Sequence, residues 1–194
     1  MDMLGSRTIE IVAALLGLVN VALVVRRSIW NYPFGLLMVA LYAWVFFGEK
    51  LYSDALLQVY FFAIQLYGWW HWRHRQDHRG LVLVARLSSP AVAGWLTGGL
   101  VGIAVWGTLM HSFTDAAYPF WDGSVAVLSV IAQYLQSRRY LESWYFWIVV
   151  DVLAISLFVV KGLVPTAVLY GIFLALCLLG LRSWRRAAGG GAAA

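Results

Sequence analysis

The chain has 194 residues, of which 62% are hydrophobic and only 12% are charged. A soluble domain carries about 25% charged residues, so this composition excludes a water-soluble globular protein and indicates a lipid environment. The formal net charge is +5. The basic residues lie in short clusters between apolar runs, which argues against a nucleic-acid-binding surface. The single cysteine, Cys177, excludes a disulfide framework and is interpreted as a small core residue.

Seven apolar stretches are long enough to cross a bilayer, which takes about 20 residues in a helix. In chain order they are residues 8–25, 33–48, 54–72, 90–111, 120–137, 143–160 and 165–182. The pattern predicts an all-α integral membrane protein with seven transmembrane helices. We expect no cleavable signal peptide, because the first stretch lacks a basic flank and a small-residue cleavage site. The Ala/Gly run 187–194 is expected to be a tail outside the fold.

The positive charges predict the orientation of the chain. Eleven of the fourteen Lys and Arg residues lie on the side that holds the 1–2, 3–4 and 5–6 loops and the C-terminus. The opposite side carries only Arg7, Lys50 and Lys161. By the positive-inside rule, the C-terminus is expected in the cytoplasm and the N-terminus outside.

An internal repeat emerges when the sequence is aligned with itself so that Arg26 falls on Arg138. Its specific matches are an arginine pair and a glycine–tryptophan–arginine signature: Arg26-Arg27 with Arg138-Arg139, Gly68 with Gly180, and Trp72-Arg73 with Trp184-Arg185. This internal alignment predicts two parallel three-helix repeats, residues 8–72 and 120–182, joined by the helix at 90–111. Parallel repeats are a transporter architecture, with the site near mid-membrane.

The sixth predicted helix carries the strongest candidate site. Asp151 lies near its middle, where a carboxylate is costly to insert and usually functional. Trp144 and Trp147 precede it at helical spacing on the same side. Two indoles and a carboxylate suit a flat ligand that stacks and forms hydrogen bonds or carries positive charge. The alternative is two lipid-interface tryptophans and a structural aspartate.

Other polar and aromatic residues in the spans extend this candidate site. Helix 3 places Gln58 and Gln65 on one face, two turns apart, either as ligand contacts or as interhelical hydrogen-bonding groups. Helix 5 opens with Trp121 and Asp122, where the tryptophan also suits the lipid interface and the aspartate a helix cap. The remaining candidates are Asn31 and Tyr32 at the start of helix 2 and Tyr170 in helix 7.

Several classes of function lack their sequence signals. No Walker phosphate loop is present, so no ATPase is expected, and neither HExxH nor GxSxG occurs. His71, His74 and His78 are spaced like metal ligands but lie among arginines that would repel a cation. We therefore expect no metal and no cofactor.

Four segments together resemble the PnuC family of bacterial nicotinamide riboside transporters, over nearly the whole chain. These are Trp30-Asn31-Tyr32-Pro33-Phe34-Gly35, Leu57-Gln58-Val59-Tyr60-Phe61-Phe62 with Tyr67-Gly68-Trp69, Pro119-Phe120-Trp121-Asp122, and Trp144-x-x-Trp147-x-x-x-Asp151. The resemblance implies a three-one-three helix fold akin to SWEET sugar transporters. It implies facilitated diffusion of a vitamin-like substrate across the bacterial inner membrane, with a cytoplasmic kinase that traps the substrate. It also implies a homo-oligomer, a homotrimer by the family pattern.

Two departures from the family leave the substrate open. Asp151 stands where the nicotinamide riboside members typically carry asparagine, and Gln65 also stands where asparagine is expected. Nicotinamide riboside is the default substrate, and deoxyribonucleosides, thiamine or riboflavin are the alternatives. Two alternatives of another class are a membrane-embedded enzyme with Asp122 and Asp151 as an acid–base pair, and a non-transporting assembly subunit.

Overall fold

The computed structural model describes residues 3–48, 52–115 and 117–190. It contains every predicted helix: α1 (Met3–Val25), α2 (Asn31–Gly48), α3 (Tyr52–Arg73), α4 (Ser89–Phe113), α5 (Pro119–Ser137), α6 (Ser143–Val160) and α7 (Val164–Gly190). Within these described ranges the only β-structure is two isolated bridges. The prediction of an all-α chain with seven helices is therefore confirmed.

The helix ends differ from the predicted ones mainly at the C-terminus. Helix α7 continues to Gly190 and so includes the first part of the run that we expected to lie outside the fold. Alanine is the best helix former, so Ala187 and Ala188 continue the helix beyond its apolar part. Residues 191–194 and Lys50, which entered the orientation argument, lie outside the described residues.

Within the residues that the structure describes, five helices are long and apolar enough to cross a membrane by themselves, and these are α1, α2, α4, α6 and α7. Helices α3 and α5 fall outside this set. They carry the glutamines Gln58, Gln65, Gln133 and Gln136, which lower their average hydropathy. The crossing of the bilayer by α3 and α5 stays a prediction.

The chain packs as two units, residues 1–83 and 84–194. In the first unit, α2 lies between α1 and α3 and contacts both of them. In the second unit, α6 likewise lies between α5 and α7, and α4 packs on α5. The second helix of each predicted repeat therefore contacts both other helices of that repeat.

The loops that lead into α2 and α6 have the same backbone hydrogen bonds at positions that the internal alignment matches. After α1, the N–H of Arg27 donates to Val24 and that of Ser28 to Leu23. After α5, Arg139 donates to Gln136 and Tyr140 to Leu135 in the same pattern. These are the two bonds of a Schellman motif, whose C′ residue takes a left-handed conformation.

The second arginine of each predicted pair occupies that left-handed position, with φ of 58° at Arg27 and 68° at Arg139. Glycine is the usual residue there, as at Gly162 after α6, where φ is 73°. The side chain has a use at Arg27, because its Nη1 donates to the carbonyl of Val82 at 3.2 Å. The two loops thus share a strained backbone that local sequence rules would assign to glycine.

Candidate substrate-binding site

Trp144 lies at the start of α6 and faces α7. Only 1% of its surface is exposed, and its ring meets the ring of Trp184 edge-on at 5.5 Å between centroids. The indole lies directly over Gly180, where a Cβ atom would come within 2.6 Å of Trp144 Cζ3. The glycine is therefore required by close approach, and it fixes the position of the indole.

Asp151 lies two turns further along α6 on the same side and is 3% exposed. Its carboxyl is hydrogen-bonded to the thiol of Cys177 on α7. The other carboxyl oxygen, Oδ2, is buried and has no hydrogen-bond partner among the described residues. The indole Nε1 of Trp144 is in the same condition.

Unpaired buried polar atoms are rare in proteins and cost about 1–3 kcal/mol each. One face of α6 carries two of them, a donor at Trp144 and an acceptor at Asp151. The helix between them separates the two residues by roughly 10 Å along the axis. This arrangement suits an elongated ligand with an acceptor near one end and a donor or positive charge near the other.

Trp147 and Trp121 use their indole N–H groups inside the second unit. Trp147 Nε1 donates to Oε1 of Gln136 on α5 at 2.6 Å. Trp121 Nε1 donates to the carbonyl of Leu153 on α6 at 3.0 Å. Trp147 therefore faces α5 whereas Trp144 and Asp151 face α7. Seven residues separate Trp144 from Asp151, which is nearly two whole helical turns, so the two side chains point the same way. Only three residues separate Trp144 from Trp147, which is less than one turn, so Trp147 points to a different side. Both hydrogen-bonded indoles keep partly exposed faces for stacking.

Asp122 forms an ion pair and does not cap its helix. Lys161 Nζ donates to Oδ1 at 2.8 Å and to Oδ2 at 3.0 Å, joining the start of α5 to the end of α6. Both side chains are partly exposed. The N-cap residue of α5 is Tyr118, and it makes no side-chain capping bond. A salt-bridged carboxylate at the helix end is poorly suited to act as a general acid or base with Asp151.

The first unit holds a buried polar cluster where α1, α2 and α3 approach one another. Asn20 Nδ2 donates to the carbonyl of Asn31 at 2.7 Å, and Asn31 Nδ2 donates to the carbonyl of Ser28 at 2.7 Å. Gln65 is 4% exposed. Its Oε1 lies so close to the backbone of Gly35 that a Cβ at that position would collide with it. Asn31 and Gln65 are therefore both brought into the interhelical core.

Tyr32, at the position that matches Trp144, has the matching neighbour. Its ring meets Trp72 edge-on at 5.3 Å, as Trp144 meets Trp184. It also lies parallel to Trp69 at 6.4 Å. The two rings at the matched positions are therefore held in the same way in the two units.

Gln58 and Tyr170 also occupy matched positions, but their surroundings differ. Gln58 is half-buried on α3. Tyr170 on α7 contacts Phe158 at 5.3 Å and Phe173 at 5.9 Å. Tyr170 is thus part of an aromatic cluster within the second unit.

The polar side-chain partners of three candidate residues were not predicted: Cys177 for Asp151, Gln136 for Trp147 and Lys161 for Asp122. The internal alignment could have identified one of them, because it places Cys177 on Gln65. Both residues face the second helix of their repeat. The sequence gives no such signal for Gln136 and Lys161. Their contacts with Trp147 and Asp122 depend on which faces of α5 and α6 pack against each other.

Comparisons with known proteins agree over nearly the whole chain. The model of a family described as nicotinamide mononucleotide transporter matches residues 7–186. The nicotinamide riboside transporter PnuC of Escherichia coli strain K12 is 31% identical over 91% of this chain and 84% of its own length. The riboflavin/roseoflavin transporter RibM of Streptomyces davaonensis is also 31% identical, over 90% of this chain and 83% of its own.

A solved structure is similar as well. The crystal structure of the vitamin B3 transporter PnuC superimposes with a TM-score of 0.78 at 30% identity, covering 93% of this chain and 82% of that one. The resemblance inferred from the four sequence segments is confirmed.

Proposed function

This chain belongs to the nicotinamide mononucleotide transporter family, and we propose that it carries nicotinamide riboside across the bacterial inner membrane by facilitated diffusion. It is a multi-pass membrane protein, and the relatives and the solved neighbour are named as transporters. An acid–base enzyme is therefore set aside, and the Asp122–Lys161 ion pair also argues against one.

We choose the substrate on the basis of two buried polar atoms on α6 that have no hydrogen-bond partner among the described residues, Trp144 Nε1 and Asp151 Oδ2. Nicotinamide riboside has a positively charged aromatic ring at one end and hydroxyl groups at the other. The charged ring stacks on an indole and faces the carboxylate of Asp151, because both an aromatic face and a carboxylate attract a cation. The sugar hydroxyl oxygens accept from Trp144 Nε1. Each buried group thereby gains the partner that it lacks within the described part of the protein.

The other candidate residues have secondary parts in this proposal. Trp121 and Trp147 contribute ring faces, because their N–H groups are already bonded to protein acceptors. Asp122 stabilises the start of α5 through Lys161. The further candidates for polar contact with the substrate are Gln58, Gln65, Asn31, Tyr32 and Tyr170. No catalytic residue and no metal enter this mechanism.

The transport architecture that we propose is two parallel repeats, residues 8–72 and 120–182, joined by α4, with all seven helices across the bilayer. The matching Schellman loops and the matching Tyr32–Trp72 and Trp144–Trp184 pairs support it. The C-terminus lies in the cytoplasm, supported by the arginine distribution. A cytoplasmic kinase traps the substrate, and the chain forms a homotrimer, as the family resemblance implies.

Riboflavin is the second candidate substrate, because RibM is as similar to this chain as the Escherichia coli PnuC is. Its ring system is neutral, so it gains nothing from the charge of Asp151. Thiamine carries a cationic ring that the carboxylate of Asp151 would attract, whereas deoxyribonucleosides are neutral and would gain nothing from its charge. Removal of the Asp151 charge should therefore weaken the binding of a cationic substrate and leave the binding of a neutral substrate nearly unchanged.

Isothermal titration calorimetry tests the proposal on the purified chain in detergent. Nicotinamide riboside, riboflavin, thiamine and deoxyribonucleosides are titrated into the wild type and into Asp151→Leu. This variant removes the charge and the hydrogen-bonding oxygens at nearly constant size and avoids the asparagine that the nicotinamide riboside members typically carry. A hydrogen bond to a charged group contributes about 1.5–3 kcal/mol, so affinity for nicotinamide riboside should fall roughly 10- to 150-fold. Equal affinity in both proteins, or tighter wild-type binding of riboflavin, would contradict it.

A further inference from the structure

A pocket of about 530 Å³ lies along the C-terminal part of α3 in the first unit, lined by four residues of that helix and by the residue that follows it. They are Leu66, Trp69, Trp70, Arg73 and His74, none of which belongs to the candidate substrate site. Their spacing of three and four residues places them on one face of the helix. Trp70 is 61% exposed and Leu66 46% exposed, so this face is open rather than packed.

The side chains of this pocket change in character along the helix axis. Leu66 is apolar, the two tryptophans follow one turn later, and Arg73 and His74 form the end of the pocket. The rise from Leu66 to Arg73 is roughly 10 Å. Acyl chain, interface and headgroup follow one another over a similar depth in a bilayer, and tryptophan favours the interface.

Arg73 offers a positive charge that the described part of the protein does not use. Its match in the second unit, Arg185, donates through Nη2 to the hydroxyl of Tyr145 at 2.5 Å and lies over that ring at 5.5 Å. The residue that matches Tyr145 is Pro33, which has neither a hydroxyl nor an aromatic ring. Among the residues that the structure describes, none is hydrogen-bonded to the side chain of Arg73, which is exposed.

His74 is held in place beside it. Its Nδ1 lies 2.7 Å from the carbonyl oxygen of Trp70, so this nitrogen carries the hydrogen and donates to that carbonyl. Its ring also contacts that of Trp70 at 5.4 Å. The imidazole is thereby held against Trp70, and His74 and Arg73 together line the polar end of the pocket.

We propose that this pocket binds the headgroup of an anionic phospholipid, with the phosphate on Arg73 and the glycerol and acyl chain against Trp69, Trp70 and Leu66. Basic pockets at the membrane surface bind lipid headgroups of this kind. The apolar walls commit the site to a lipid, because a free phosphate would use only the polar end. The lipid orders the exposed end of α3 and does not take part in substrate binding.

Native mass spectrometry of the full chain in detergent tests this site. Phosphatidylglycerol and phosphatidylcholine with the same acyl chains are titrated in parallel, and glycerol 3-phosphate is added as a competitor. We expect one phosphatidylglycerol per chain to bind more tightly than phosphatidylcholine. Arg73→Gln should weaken the anionic lipid about fivefold and leave phosphatidylcholine unchanged.

Arg186→Gln is the matched control, because it removes one exposed arginine from the C-terminal part of α7 and should change binding less than twofold. Trp70→Ala should weaken both lipids. Equal losses in the two arginine variants would indicate diffuse charge attraction and overturn the proposal. It would equally be overturned by displacement of the lipid by glycerol 3-phosphate, or by an Arg73→Gln variant that changes oligomeric state instead of lipid binding. Gel filtration and thermal unfolding of each variant verify that it is folded.

Discussion

The indole of Trp144 lies so close to Gly180 that one added methyl group at this glycine tests whether the position of the indole matters to the candidate site. In Gly180→Ala, the new Cβ would lie 2.6 Å from Trp144 Cζ3, where ordinary contact begins at 3.4 Å, so the indole must move by several tenths of an ångström. Trp144 cannot move freely, because it is 1% exposed and meets Trp184 on another side. Overpacking of this kind costs about 1–3 kcal/mol.

Gly171→Ala is the matched control, since Gly171 lies in the same helix and a Cβ there meets no atom of the described residues within 4 Å. Both substitutions gain up to about 1 kcal/mol of helix propensity, so the difference between them isolates the collision. In thermal unfolding in detergent, Gly180→Ala should melt several degrees below Gly171→Ala, at about 2–4 °C per kcal/mol.

The same comparison tests the function of the indole. Calorimetric affinity for nicotinamide riboside should fall at least fivefold in Gly180→Ala and stay at the wild-type value in Gly171→Ala. If the two variants melt together, the indole is not held by the glycine. If Gly180→Ala melts lower yet binds the ligand normally, Trp144 belongs to the core and not to the site.

Three further substitutions test individual contacts. Trp147→Phe keeps a ring but loses the bond to Gln136, so it should destabilise the protein by about 1 kcal/mol; a double-mutant cycle with Gln136→Leu should show coupling, and additive effects would contradict the bond. Lys161→Ala and Asp122→Asn should each cost less than about 1 kcal/mol because the pair is partly exposed, with uptake retained; complete loss of uptake in Asp122→Asn alone would give the carboxylate a direct role. Gly35→Ala should lower the melting temperature because its Cβ collides with the amide of the neighbouring glutamine on α3, and an unchanged melting temperature would show that this amide moves freely.

The helices could be predicted from the sequence because each depends on local composition. A run of about 20 apolar residues has few alternatives to a helix in lipid, where every backbone polar group must be bonded internally. The predicted bounds 143–160 match the observed helix α6 for this reason. The extension of α7 to Gly190 could not be predicted in the same way, because alanine continues a helix without the apolar signal that marks its boundary.

The partners within the candidate site were harder to predict because they depend on rotation of one helix against another. The spacing of Trp144, Trp147 and Asp151 places all three on roughly the same side of α6. The small differences in their angular position around the helix axis decide whether each side chain contacts α5 or α7. Trp147 meets α5, whereas Asp151 meets Cys177 on α7. A lone cysteine in an apolar run indicates core packing, and only the facing carboxyl gives it a hydrogen-bonding role.

The sequence shows that an arginine pair recurs at matching positions, but it does not show what the second arginine of each pair does in the structure. In the sequence, Arg26-Arg27 and Arg138-Arg139 serve as markers of a repeat. The structure gives the second member of each pair a left-handed conformation at a helix end, which costs a non-glycine residue roughly 1–2 kcal/mol. A strained arginine at both matching positions supports the predicted repeat more strongly than identity between leucine-rich stretches does.

Uptake of isotopically labelled nicotinamide riboside into proteoliposomes that contain the purified chain, with no ion gradient and no nucleotide, tests the proposed function most directly. Mass spectrometry of the vesicle contents shows whether the compound arrives unchanged. We predict saturable entry of intact nicotinamide riboside that stops when inside and outside concentrations are equal, and no entry with Asp151→Ala inserted to the same level. Accumulation above the external concentration, recovery of an altered compound, or normal uptake by Asp151→Ala would contradict facilitated diffusion through a site built on Asp151.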